Sequence, residues 1–152
     1  MTTFDQTTAL PFDPKSPDRL AVNLPDAWGS LVGVHGGFVT ALTVRSVAPR
    51  LGTHRVRTVS TSFLRPVTIG AAELTITTLR SGRSLSTYEV ALHQSGRLAT
   101  TTRITAATPT TGTEWDHAKP LPVPSPADCL VVPGPPGIRH LDHAEGRPRR
   151  CA

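Results

Sequence analysis

Long apolar runs are missing from this chain. No stretch approaches the ~18 consecutive apolar residues of a membrane-spanning helix, so neither a transmembrane protein nor a membrane partner is expected. Residues 1–9 hold no basic cluster and no apolar stretch, which argues against a secretory signal and leaves the cytoplasm as the expected location. Cysteine is scarce: Cys129 and Cys151, both near the C-terminal end, are the two. They offer neither zinc-ligand spacing nor a framework of bridges, and they suit a reducing compartment. Like charges never gather into a block, which argues against a nucleic-acid arm. Aromatic residues are only 5% of the chain, so its core is thin in large side chains.

What is present fits one domain. A length of 152 residues and 38% hydrophobic content can bury one core and would be cramped for two. The net charge of +5 lies wholly in residues 1–108, where 11 basic residues face 6 acidic ones. Fourteen of the 16 basic residues are arginine, whose planar fork suits phosphate. An anionic small molecule bearing a nucleotide fits that balance, and a coding bias toward arginine is the alternative. Nine of the 15 prolines follow residue 108. Residues 109–152 are therefore expected to be an extended or disordered tail. Residues 1–17, punctuated by Pro and Asp, read as a lead-in, which leaves 18–108 as the domain.

Within 18–108 the hydrophobic period changes. Residues 19–24 alternate through Leu20, Val22 and Leu24, predicting a first strand. Gly36-Gly37 then introduces Phe38, Ala41, Leu42, Arg45 and Ala48, whose offsets of three and four predict a helix stopped by Pro49 and Gly52. From there the period is two. Residues 57–64, 72–78, 84–93 and 97–107 predict four antiparallel strands, with turns at Ser81-Gly82-Arg83 and Ser95-Gly96. One helix and five strands make an α+β domain in which the sheet must wrap the helix to cover its apolar face. One helix covers only one face, so the outer face and the edge of the sheet are expected to need cover as well.

The order Trp28, His35-Gly36-Gly37-Phe38, Ser62-Phe63-Leu64-Arg65-Pro66, Gly70, Leu79-Arg80-Ser81-Gly82-Arg83-Ser84 and Gln94-Ser95-Gly96-Arg97 resembles the acyl-CoA thioesterase II group of hotdog-fold proteins. Within that group it is similar to the N-terminal hotdog, over about residues 18–107. The resemblance implies a single hotdog here, with an antiparallel five-stranded sheet around one central helix. It implies an acyl thioester substrate on coenzyme A or an acyl-carrier protein, with no cofactor beyond the coenzyme A of the substrate. It also implies hotdogs in side-by-side pairs, hence a homodimer or a dimer of dimers. Members usually fuse two hotdogs and carry active Asp, Thr and Gln residues in the second, and these are not matched here. A related single-hotdog group places an acid nine residues after the His of His-Gly-Gly; here Val44 stands there, and residues 38–48 hold no carboxylate. The expected function is thioester hydrolysis. The alternatives are a non-hydrolytic acyl-binding hotdog, or half of a double hotdog whose partner supplies the active residues.

Thioester hydrolysis needs donors for the developing oxyanion and a group to deliver water. Gly36 and Gly37 at a helix start offer amides that a ligand can approach closely, or else they only permit a tight turn into the helix. His35 is either a base or a loop-fixing ring, while His54 and His93 read as solvated. His140 and His143 lie in the tail without a third metal ligand. Gln94 either orients a water or is simply exposed at its strand end, and Thr61, on the core side with Val59 and Phe63, is a core hydroxyl first and a catalytic candidate second. Arg65, Arg80 and Arg83 read as one cluster for the phosphates of coenzyme A, or as solvated turn residues. Trp28 and Phe38 either line an acyl tunnel or anchor the core.

Overall fold

The computed structural model describes residues 3–11, 14–113, 115–119, 122–131 and 149–150. In chain order the elements are α1 (Thr3–Thr7), β1 (Arg19–Leu24), β2 (Gly29–Ser30), β3 (Gly33–Val34), α2 (Gly36–Val47), β4 (Arg55–Phe63), β5 (Gly70–Arg80), β6 (Leu85–Gln94), β7 (Arg97–Ala107), β8 (Leu130–Val131) and β9 (Arg149–Arg150). Short 3₁₀ turns cover Asp26–Trp28, Ala48–Arg50 and Pro126–Asp128. The predicted strands 19–24 and 97–107 match β1 and β7, and the other predicted elements shift at their ends by one or two residues.

Five strands form one antiparallel sheet in the order β1-β5-β6-β7-β4. Its inner face packs on α2 through Leu20, Leu24, Leu74, Ile76, Tyr88, Val90, Leu92 and Ile104, met by Phe38, Val39, Leu42 and Val47. Alternation produces this directly, because every second side chain of a strand shares a face. The outer face corrects one expectation. Over β4, β6 and β7 it presents Thr58, Ser60, Ser62, Thr101, Thr105 and an Arg103–Glu89 pair, so water covers it adequately. The exposed large apolar groups of the sheet are instead Val59 and Phe63 on the inner row of β4, 38% and 50% exposed, and Leu79 near the end of β5. Strand β4 pairs with β7 on one side only and ends the sheet.

The lead-in is not peripheral. Phe4 of α1 packs edge-on against Trp28 and Phe38, whose rings stack at 5.1 Å. Thr7 Oγ1 accepts the Trp28 indole N–H at 2.9 Å, Thr8 is fully buried, and Arg45 pairs with Asp5. The folded unit thus begins well before residue 18. In the 109–152 stretch, β8 and β9 form a two-stranded ladder, and Cys129 is disulfide-bonded, against the expectation of no bridge. Residues 109–113, 115–119 and 122–125 form no helix or strand, as the tail prediction expects, while His140, His143 and Cys151 lie outside the described residues.

Candidate functional site

The amino end of α2 is built by backbone. The Phe38 and Val39 amides return to the His35 carbonyl at 3.0 and 3.2 Å. Gly36 and Gly37 occupy the first two helical positions, whose N–H groups have no carbonyl a turn earlier. Their amides and the helix dipole make this end electropositive. The His35 side chain makes no capping bond, while its own amide donates to the Trp28 carbonyl at 2.8 Å. The His35 ring lies beside Gly37, where an added Cβ would stand 3.0 Å from Cε1. Gly36 has a different reason to lack a side chain: an added Cβ would press on the Phe63 ring, 3.1 Å from Cζ.

The β2–β3 hairpin and the loop after β4 complete the site. Gly33 has φ +141°, and a Cβ there would collide with the Val67 carbonyl oxygen. Glycine therefore lets the hairpin lie on the loop, where the Val34 amide donates to that same oxygen at 2.7 Å. Gln94 holds the loop from the far side. Its Oε1 accepts from the Thr68 amide and hydroxyl at 2.9 and 3.0 Å, and its Nε2 donates to the carbonyls of Thr68 and Ala71. Between hairpin, helix end and loop lies an open cleft of about 450 Å³, lined by Ser30, Val32, Val34, Gly36, Phe63, Leu64, Arg65, Pro66 and Val67. Its rim is greasy: Leu31 and Val32 at the hairpin tip are 77% and 80% exposed, and Leu64 and Ile69 about half so. None of the lining residues is a carboxylate.

The cleft gathers some of the expected site residues and leaves out others. Gly36 and Arg65 line it, with Gly37 and His35 adjoining at the helix end. Gln94 serves the loop, with both ends of its amide engaged. Trp28 and Phe38 do not line the cleft; at 7% and 1% exposure they are core. Thr61 lies two residues from Phe63 on the inner row of β4, bonded to Thr40 and Thr102. The arginine cluster does not form. Antiparallel pairing puts Arg65, after β4, at the cleft end of the sheet, while Arg80 and Arg83 flank the β5–β6 turn at the opposite end. His54 is also corrected: it is buried at 8% exposure, with Nε2 3.0 Å from the Arg83 carbonyl oxygen. His93 is partly covered, and its Nδ1 is buried without a partner. Among the described residues, no three His, Cys, Asp or Glu side chains are placed to hold a metal, and no helix is long and apolar enough to cross a membrane.

Sequence reasoning missed the hairpin residues Ser30, Val32 and Val34 as cleft walls. The available signal was Gly29 and Gly33 framing three residues, a spacing that permits a short hairpin but lacks the Asn-Gly or Asp-Gly of the commonest turns. Leu64 and Pro66 were visible only as members of the motif around Arg65, and Val67 as the residue that follows it.

Solved structures share this architecture. A hot dog fold protein of unknown function from Alicyclobacillus acidocaldarius superposes with a TM-score of 0.79 at 22% identity, covering 93% of this chain and 53% of that one. A candidate thioesterase II from Thermobifida fusca gives 0.74 at 28% identity, covering 87% and 49%. A candidate thioesterase from Novosphingobium aromaticivorans gives 0.74 at 24%, covering 88% and 56%. This chain thus spans about half the length of these neighbours. No curated protein matches it. The fold is the hotdog, and residues 24–109, more than half of the chain and including helix end, hairpin and loop, place the protein in the acyl-CoA thioesterase N-terminal domain family.

Proposed function

We propose that this protein hydrolyses acyl thioesters of coenzyme A or of an acyl-carrier protein as one half of a paired hotdog. The observation that carries the reading is the cleft itself: apolar walls for an acyl chain meet the electropositive end of α2. A thioester carbonyl set against the Gly36 and Gly37 amides would gain hydrogen bonds as its oxygen becomes negative. Arg65 on the rim is the nearby cation for a phosphate or for an acidic carrier. His35 adjoins the same helix end, and Gln94 contributes by holding the loop that forms the far wall.

No lining carboxylate is at hand to draw a proton from water. The second hotdog, a further copy of this chain docked at the β4 edge, is the proposed source of that group. A second reading follows from the same gap: without a base the cleft binds acyl thioesters and does not cleave them. Thiol release from acyl-CoAs of graded chain length separates the two. Turnover supports hydrolysis. Saturable binding with no free thiol supports the binder, and neither turnover nor binding removes both.

A further inference from the structure

The ten arginines of residues 1–108 divide unevenly. Arg19, Arg45, Arg50 and Arg103 pair with Glu73, Asp5, Asp18 and Glu89. The other six make no ion pair among the described residues. Four of these, Arg55, Arg57, Arg80 and Arg83, stand exposed at the end of the sheet away from the cleft.

The fold draws them together. The β5–β6 turn reaches across the end of β7 to the start of β4, where His54 Nε2 lies 3.0 Å from the Arg83 carbonyl oxygen. The Thr108 hydroxyl donates to the same oxygen at 3.1 Å. Arg83 therefore sits beside Arg55, the residue after His54. Gly82 permits the close turn, since an added Cβ would stand 2.9 Å from the Leu85 carbonyl oxygen and 3.8 Å from Arg80 Nε. Arg80 shares a cross-strand row with Thr87, Thr105 and Thr58, hence the outer face, and Arg57 adjoins Thr58 at a bulge.

Like charges gathered without a carboxylate repel until an anion joins them. Asp18 and Glu89 are already taken by Arg50 and Arg103, and Asp116, downstream of β7, accepts from the Ala118 amide. Three strand spacings separate β5 from β4, about 14 Å. One phosphate cannot bridge that width, and an extended anion can. Beyond the arginines the outer face sinks into a depression of about 320 Å³ lined by hydroxyls, with Thr58 and Thr105 common to both. No aromatic ring lines it to stack a nucleic-acid base. Among residues 54–58 and 79–85, Leu79 is the one exposed large apolar side chain, a slight anchor for a membrane. A second copy of this chain brings the same +5 charge.

We propose that this arginine end is a docking surface for an acidic segment of another protein. Carboxylates of the partner take the guanidinium forks of Arg55, Arg57, Arg80 and Arg83, and its polar backbone lies on the hydroxyls of the depression. The surface stands apart from the cleft and serves whether or not the cleft cleaves thioesters.

The test measures binding of a fluorescein-labelled oligoglutamate to the full chain by anisotropy at low and high salt, with melting curves to confirm folding. Arg80→Ser with Arg83→Ser, and Arg55→Ser with Arg57→Ser, are each expected to weaken low-salt binding about tenfold. The His54 contact is kept in both, because it uses the Arg83 backbone. Arg65→Ser with Arg97→Ser removes as much charge outside the cluster and is expected to weaken binding less than about threefold. Amide shifts of ¹⁵N-labelled protein with oligoglutamate should centre on residues 55–58 and 80–84. Equal weakening by all three pairs would reduce the effect to net charge and overturn the proposal. So would an unaltered protein that does not bind oligoglutamate at low salt. Tighter binding of phosphatidylserine vesicles or of a single-stranded oligonucleotide through the same arginines would overturn the choice of a protein partner.

Discussion

A valine at position 37 isolates the helix end. Gly37 is exposed, and the first contact an added side chain makes is with the neighbouring His35 ring. The fold tolerates that crowding, because an exposed terminal helical position has few neighbours and the His35 ring is the one group within 4 Å of the added Cβ. The ligand does not tolerate it, because the branched side chain stands over the two free amides. Gly37→Val is expected to lower thioester turnover by at least tenfold, in line with the loss of a single oxyanion donor, with the far-UV circular dichroism spectrum unchanged. Turnover at the rate of the unaltered protein would remove the amides from the mechanism. At this scale the sequence was only partly legible. The helix start was plain from Gly36-Gly37, but the reason for Gly36 was not, since the Phe63 ring that crowds it comes from a strand 27 residues later. Gln94 likewise showed itself as a polar strand end, and only the fold brings Thr68 to it.

Among the elements, the helix and five strands were readable because each keeps one period over its whole length. The shorter pieces were not. A five-residue helix carries too little pattern to stand out, and α1 is held by what it touches rather than by propensity. Its hold is aromatic: Phe4 meets the stacked Trp28 and Phe38 rings edge-on. Phe4→Ala is expected to destabilise the protein by about 2 kcal/mol, less than a fully buried Phe would cost because this ring is partly exposed. For a chain of this size that lowers the melting temperature by roughly 4–8 °C. A melting curve that does not move would return residues 1–17 to the status of a loose lead-in.

At the level of the whole molecule, the proposed second unit is expected at the bare β4 edge rather than on the sheet's polar outer face. An edge strand presents unpaired backbone donors and acceptors, and here Val59, Phe63 and Leu64 add apolar surface beside them. A two-fold pair through this edge is the predicted assembly. Light scattering at micromolar concentration should give twice the 16.2 kDa chain mass; a monomer with full turnover would contradict it. Direction along the sheet was not legible in the sequence. Arg65, Arg80 and Arg83 look close on the chain, yet one reversal after β4 and another after β5 separate the first from the others by the length of a strand. That separation makes the two ends of the molecule distinguishable in solution. Titrating ¹⁵N-labelled protein with decanoyl-CoA and following the backbone amides tests directly whether the cleft is the binding site. The largest shifts should fall on Gly36, Gly37, residues 30–34 and residues 64–68, with little change at residues 80–84. Shifts confined to the β5–β6 turn, or none at Gly36 and Gly37 under saturation, would contradict the assignment of the cleft as the acyl-thioester site.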